Sequence, residues 1–90
     1  MGDNVVLIGT KPPMSYVMAI ITMFNKGESE VILKARGRAI TTAVDATEIV
    51  RRRFLSEVKT QNIRIGTEKL KRREGGEDIN SSTIEIVLKK

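Results

Sequence analysis

Glu30-Val-Ile-Leu-Lys-Ala-Arg-Gly-Arg-Ala-Ile40 is the stretch that decides the fold. Glu30 to Ala35 is a short, largely apolar run, the pattern of a strand. Arg36-Gly-Arg38 interrupts it as a loop. The apolar period then changes: Ile40, Ala43, Val44, Thr47 and Val50 recur at three- and four-residue spacing, which lays them on one stripe of a helix. The spacing predicts a helix to about Arg53. Arg36, Gly37 and Arg38 are poor or middling N-caps, so the start of that helix is its less defined end.

Upstream, the same two-part unit occurs once more. Asn4-Val-Val-Leu-Ile8 is an apolar run ending at Gly9, read as a buried strand. Thr10-Lys-Pro-Pro13 follows, and two prolines suit a loop entering the first turn of a helix. Met14, Val17, Met18, Ile21 and Phe24 keep helical spacing, and Tyr16, Ile20 and Met23 add a second apolar stripe. A helix apolar on two sides calls for cover on two sides, its own sheet being one. Asn25-Lys-Gly27 closes it, with Gly27 suited to a left-handed cap. A helix between two strands makes a crossover unit with parallel strands.

Downstream the pattern turns to strands. Val58 to about Lys71 alternates Ile63 and Ile65 with Asn62 and Arg64, and Ser82 to Lys89 places Ile84, Ile86 and Leu88 on one face. Between them, Arg72-Arg-Glu-Gly-Gly-Glu-Asp78 holds the Gly-Gly pair of a hairpin turn. At ~3.3 Å per residue such strands extend over ~35 Å, so the hairpin tip projects beyond the core as an arm. The order is β-α-β-α-β-β. The expected class is α/β in the broad sense, an α+β two-layer fold. One mixed sheet carries two helices on one face and a projecting C-terminal hairpin, in a single domain over residues 1–90.

Composition narrows the function. The 90 residues include no His and no Cys, so the commonest general base, the thiolate nucleophile and the usual soft metal ligands are missing. Carboxylates show no metal-ligand spacing, and Gly9-Thr-Lys11 lacks the rest of a phosphate-loop motif. The expectation is a protein that is not an enzyme, with no metal, no cofactor and no small-molecule substrate. No apolar stretch approaches the ~20 residues needed to span a bilayer, and no signal peptide is visible. That predicts a soluble, cytoplasmic protein with no membrane partner.

Sixteen Lys and Arg stand against eleven Asp and Glu, a net charge of +5. A polyanion suits that balance, because each neutralised phosphate releases condensed counterion. The cations fall in groups: Lys11 in the first strand-to-helix loop; Lys34, Arg36 and Arg38 around the second; Arg51, Arg52 and Arg53 at the end of the second helix; Lys69, Lys71, Arg72 and Arg73 on the arm. In a parallel crossover unit both strand-to-helix loops leave the same end of the sheet, which predicts one continuous patch of Lys11, Arg36 and Arg38. Gly37 between two arginines lets backbone approach a phosphate closely. Two groups have a second explanation. Arg51 to Arg53 suit the negative end of a helix dipole, and charged arms also prevent edge-to-edge aggregation. Glu74, Glu77 and Asp78 offset part of the arm's charge. Tyr16, Phe24 and Phe54 are the only aromatics, too few to stack single-stranded bases.

Asn4-Val-Val-Leu-Ile-Gly9, Lys11-Pro12, Lys34-Ala-Arg-Gly-Arg-Ala-Ile40, Ala43-Val-Asp45, Glu48-Ile-Val-Arg51, Arg53-Phe-Leu55 and Ser82-Thr-Ile-Glu-Ile86 together resemble the archaeal Alba family, across nearly the whole chain. The resemblance implies a fold similar to the C-terminal domain of a bacterial translation initiation factor. It implies a homodimer, or a heterodimer with a paralogue, that binds double-stranded DNA without sequence preference, coats and condenses it on the chromosome, and also binds RNA. It puts the nucleic-acid contacts on Lys11, Arg36, Arg38 and the arm. Relatives often carry two adjacent lysines in the first loop, one of them open to acetylation; here the pair is Thr10-Lys11, which leaves Lys11 as the candidate. Phe54 matches a position of dimer-to-dimer contact, and core packing at a helix end would explain it equally.

Overall fold

Two strand–helix units open the chain. The structure, a computed structural model, describes residues 4–71, 76 and 78–90. β1 (Val5–Leu7) leads to α1 (Pro13–Asn25), β2 (Glu30–Arg36) to α2 (Ala39–Ile49), and β3 (Lys59–Leu70) and β4 (Ile79–Lys89) come after them. The sheet order is β1-β2-β4-β3. β1 and β2 are parallel, as a crossover requires, and the pairs β2–β4 and β3–β4 are antiparallel. This is the expected α+β layering.

The core is the face under the helices. Val31, Leu33 and Ala35 of β2 are buried there beside Ile86 and Leu88 of β4. From α1 come Tyr16, Val17, Ile20 and Phe24, and from α2 come Ala43, Ala46 and Thr47. Ile20, Leu33 and Leu88 are among the side chains with no exposed surface; truncating such a residue to Ala costs about 2–5 kcal/mol. The buried side of α1 draws on both apolar stripes, while Met14 and Met18 face outward. β1 is buried on one side only: Val6, and Ile8 just after the strand, are in the core, but Leu7 is 73% exposed. The run expected to be a buried strand is thus buried at alternate residues only. An apolar run at an edge, with helices on one face, buries every second residue.

Glycine ends α1 as expected. Gly27 has φ of +104°, its N–H donates to the Phe24 carbonyl and that of Glu28 to the Met23 carbonyl, a Schellman closure. The second helix ends differently from expectation. Beyond Ile49 it widens into a π turn over Val50–Phe54, where the Leu55 N–H reaches the Val50 carbonyl at 2.7 Å. The wider turn shifts the rotational phase of the last helical residues. Val50 is fully buried, Leu55 packs partly against the core, and Phe54 stays half exposed.

A bulge sets the face of β3. Thr60 pairs with Leu88 and Asn62 with Val87, so Gln61 is an extra residue. The shift places Ile63 opposite Ile86 and Ile65 opposite Ile84, on the helix side of the sheet. Without it a two-residue period would turn both isoleucines to the other face. The helices do not reach that far: Ile63 is 55% and Ile65 78% exposed. The molecule measures 46 × 23 × 19 Å, elongated as a projecting hairpin predicts. Most of the expected Gly-Gly turn lies outside the described residues.

Candidate nucleic-acid interface

The first loop is held by a tyrosine. Tyr16 is in the first turns of α1, where its ring is buried. Its hydroxyl accepts hydrogen bonds from the Gly9 N–H at 2.8 Å and the Lys11 N–H at 3.1 Å. One oxygen thus fixes the backbone on both sides of Thr10 and presents the exposed Lys11 side chain from an anchored loop. The helical spacing alone assigned Tyr16 only an apolar role. A buried phenol needs a hydrogen-bond partner, and that was the available signal.

The second loop is fixed as firmly. The Gly37 N–H donates to the Ser82 carbonyl of β4 at 2.9 Å, and its carbonyl accepts from the Ile40 N–H. Gly37 has φ of +57°, a left-handed conformation that costs other residues roughly 1–2 kcal/mol. The glycine therefore serves the turn, and its N–H is already taken by β4 rather than open to a phosphate. Arg36 and Arg38, on either side, are exposed. Since β1 and β2 are parallel, this loop and the Lys11 loop leave the same end of the sheet.

Carboxylates accompany some of these cations. Arg36 Nη1 donates to Glu68 Oε1 of β3 at 2.8 Å. Lys34 Nζ is 3.6 Å from Glu85 of β4, whose other oxygen is 4.0 Å from Arg64. Lys34, Glu85 and Arg64 are register neighbours on the sheet face away from the helices. They border a groove of about 540 Å³ that also involves Leu7, Arg36 and Thr83. Among the described residues Arg38 and Lys11 have no carboxylate within ion-pair distance. On the arm, Lys69 is exposed opposite Asn80 and Lys71 lies exposed just past β3. Arg72 and Arg73 lie outside the described residues.

The arginine run at the end of the second helix is explained locally in large part. Glu48 accepts from Arg51 Nη1 at 2.6 Å and from Arg52 Nε at 3.0 Å. The hydrogen bonds from Arg52 and then Arg51 hold its carboxyl below the usual carboxylate pKa. Phe54 is 49% exposed, so the core-packing explanation of this residue is at most half satisfied.

The fold and the cationic loops together define a small basic α+β domain of a kind seen among nucleic-acid-binding proteins. The Alba family model matches residues 4–67. Over 88 residues the chain is 56% identical to the DNA/RNA-binding protein Alba of Methanocella arvoryzae, covering 98% of this chain and 91% of the relative. It is 51% identical to DNA/RNA-binding protein Alba 1 of Archaeoglobus fulgidus over 90 residues, 100% of this chain and 99% of that one. Among solved structures, Alba from Thermoplasma volcanium superposes with a TM-score of 0.90 at 42% identity, covering 97% of this chain and all of that one. ALBA1 from Trypanosoma brucei gives 0.80 at 25% identity, covering 100% of this chain and 71% of that one. The chain belongs to the Alba family.

Proposed function

We propose that this chain is an architectural protein that binds double-stranded DNA without sequence preference, coating and compacting it as a homodimer on the chromosome in the cytoplasm. The observation that carries the reading is the pair of anchored loops at one end of the sheet, which present Lys11, Arg36 and Arg38 on backbone already fixed by Tyr16 and Ser82. Cations on rigid loops meet phosphates and carry no base-reading geometry. The hairpin arms, through Lys69, Lys71, Arg72 and Arg73, reach along a groove of the duplex. Relatives named as DNA/RNA-binding proteins support nucleic acid as the ligand. The protein works by binding rather than catalysis, in keeping with a chain that lacks His and Cys. The exposed Lys11 is the residue whose acetylation would weaken the complex.

Self-association has support in Ile63 and Ile65. Apolar side chains this exposed on the helix side of an edge strand are suited to cover by a second copy or a paralogue. Phe54 offers a further apolar contact between dimers. RNA is the second reading, favoured by the same relatives' names. Competition titration of labelled duplex DNA with unlabelled duplex DNA, duplex RNA and single strands at fixed salt separates the two. The reading expects duplexes of unrelated sequence to compete equally and better than single strands. Preference for RNA moves the assignment to the second reading, and indifference to every nucleic acid at low salt rejects both.

A further inference from the structure

Arg36 and its carboxylate partner come from distant parts of the chain. Arg36 ends β2 and Glu68 sits near the outer end of β3, 32 residues later. Across the sheet, Arg36 is level with Thr83 of β4 and Gly66 of β3. Gly66 has no side chain, and one built there would come within 3.2 Å of the Thr83 hydroxyl. This low point in the row lets the guanidinium lie across the sheet towards Glu68, two residues further along β3. The contact uses one guanidinium nitrogen, and the side chains remain 57% and 47% exposed.

From this arrangement we infer that Glu68 is an attenuator of nucleic-acid binding: its carboxylate occupies the Arg36 guanidinium in the free protein and competes with a phosphate for it. The inference rests on the nucleic-acid reading above and adds a regulatory residue to that site. A phosphate arriving at Arg36 either displaces Glu68 or meets a guanidinium whose charge is already offset. Both routes weaken the complex. A positioning role would need a bond strong enough to order the arginine, and an exposed single-nitrogen pair is too weak for that. Arg38, two residues away, has no such partner among the described residues. The two arginines of one loop are thus unequal, Arg38 being fully available and Arg36 partly withheld. Glu68 also joins the arm to the loop, so seating the arm on a duplex and freeing Arg36 are coupled.

The test is a double-mutant cycle on the full chain, measured as duplex-DNA affinity by fluorescence anisotropy at low salt. Glu68→Gln keeps the side chain's shape and removes its charge. It should tighten binding about 1.5- to 5-fold per copy, the range of an exposed ion pair. In an Arg36→Gln background the same change should have little effect. Glu57→Gln, whose carboxylate pairs with Lys90 away from the loops, controls for the loss of one negative charge. Unchanged or weaker binding by Glu68→Gln overturns the inference. So does a gain that persists without Arg36 or is matched by Glu57→Gln. If the unsubstituted protein fails to bind any nucleic acid, the functional reading falls and this inference with it.

Discussion

Replacing Tyr16 by Phe separates the anchoring of the first loop from its charge. The ring packing is kept, and only the oxygen that accepts from Gly9 and Lys11 at 2.8 and 3.1 Å is removed. Each such bond contributes about 0.5–1.5 kcal/mol net. Two together give ~1–3 kcal/mol, and because the loop borders solvent, water recovers part, which favours the lower half of that range. For a domain of this size the melting temperature should drop by about 5–15 °C. The loop backbone then loses its fixed path, and Lys11 no longer meets its phosphate pre-positioned. Binding to duplex DNA should weaken several-fold, but the number of phosphates contacted stays the same. Tyr16→Phe should therefore keep the slope of log affinity against log salt, whereas Lys11→Gln should reduce it by ~0.9 for each phosphate left without its cation. Thermal denaturation followed by circular dichroism gives the first quantity and anisotropy titrations at several salt concentrations the second. A stability change below about 0.5 kcal/mol with unaltered affinity would show that the hydroxyl does not anchor the loop.

Three further substitutions probe the rest of the account. Thr47 is buried in α2, and its hydroxyl has no hydrogen-bond partner among the described residues; Thr47→Val should stabilise the fold by ~1 kcal/mol in a denaturant titration, and destabilisation would mean the hydroxyl is satisfied. The lowered pKa of Glu48 means that its pairing with Arg52 and Arg51 contributes stability above the ordinary carboxylate value of 4.5, and that this contribution is lost as pH falls below it. The stability gap between the unsubstituted protein and Glu48→Gln should accordingly narrow as a denaturation series is taken below that pH, and a constant gap would contradict the coupling. Ile65 is 78% exposed, so Ile65→Glu should leave the fold intact and shift the protein towards monomer in light scattering; an unchanged oligomer would remove this strand face from the interface.

Much of the fold was legible because it is local. The switch of period at Arg36-Gly-Arg38, the prolines ahead of α1 and the glycine after it each report backbone geometry within a few residues. The long hairpin could be read from alternation on either side of the Gly75-Gly76 pair. Sheet order could not, because nothing within β3 or β4 states which of them pairs with β2. In retrospect β4 suits the inner position because Ile84, Ile86, Val87 and Leu88 bring apolar groups to both faces along its central stretch, whereas the middle of β3 has only Ile63 and Ile65, on one face. The cationic loops were legible as charge, and their common end of the sheet followed from parallel pairing. What pattern reading missed was each cation's environment. Tyr16 fits an apolar stripe whether or not its hydroxyl is used, and the contact from Arg36 to Glu68 spans 32 residues. The π turn after α2 was equally hidden, since Val50 to Phe54 keeps a spacing compatible with an ordinary helix.

The central claim is that phosphate neutralisation by Lys11, Arg36, Arg38 and the arm drives binding to duplex DNA. The most direct measurement is affinity for one duplex between 50 and 200 mM salt, repeated on a duplex of unrelated sequence. If ~6–10 phosphates are contacted, affinity should drop by about 10³–10⁵ over that range on both duplexes, with the same log–log slope. An affinity that barely responds to salt, or a slope that depends on sequence, would contradict the account.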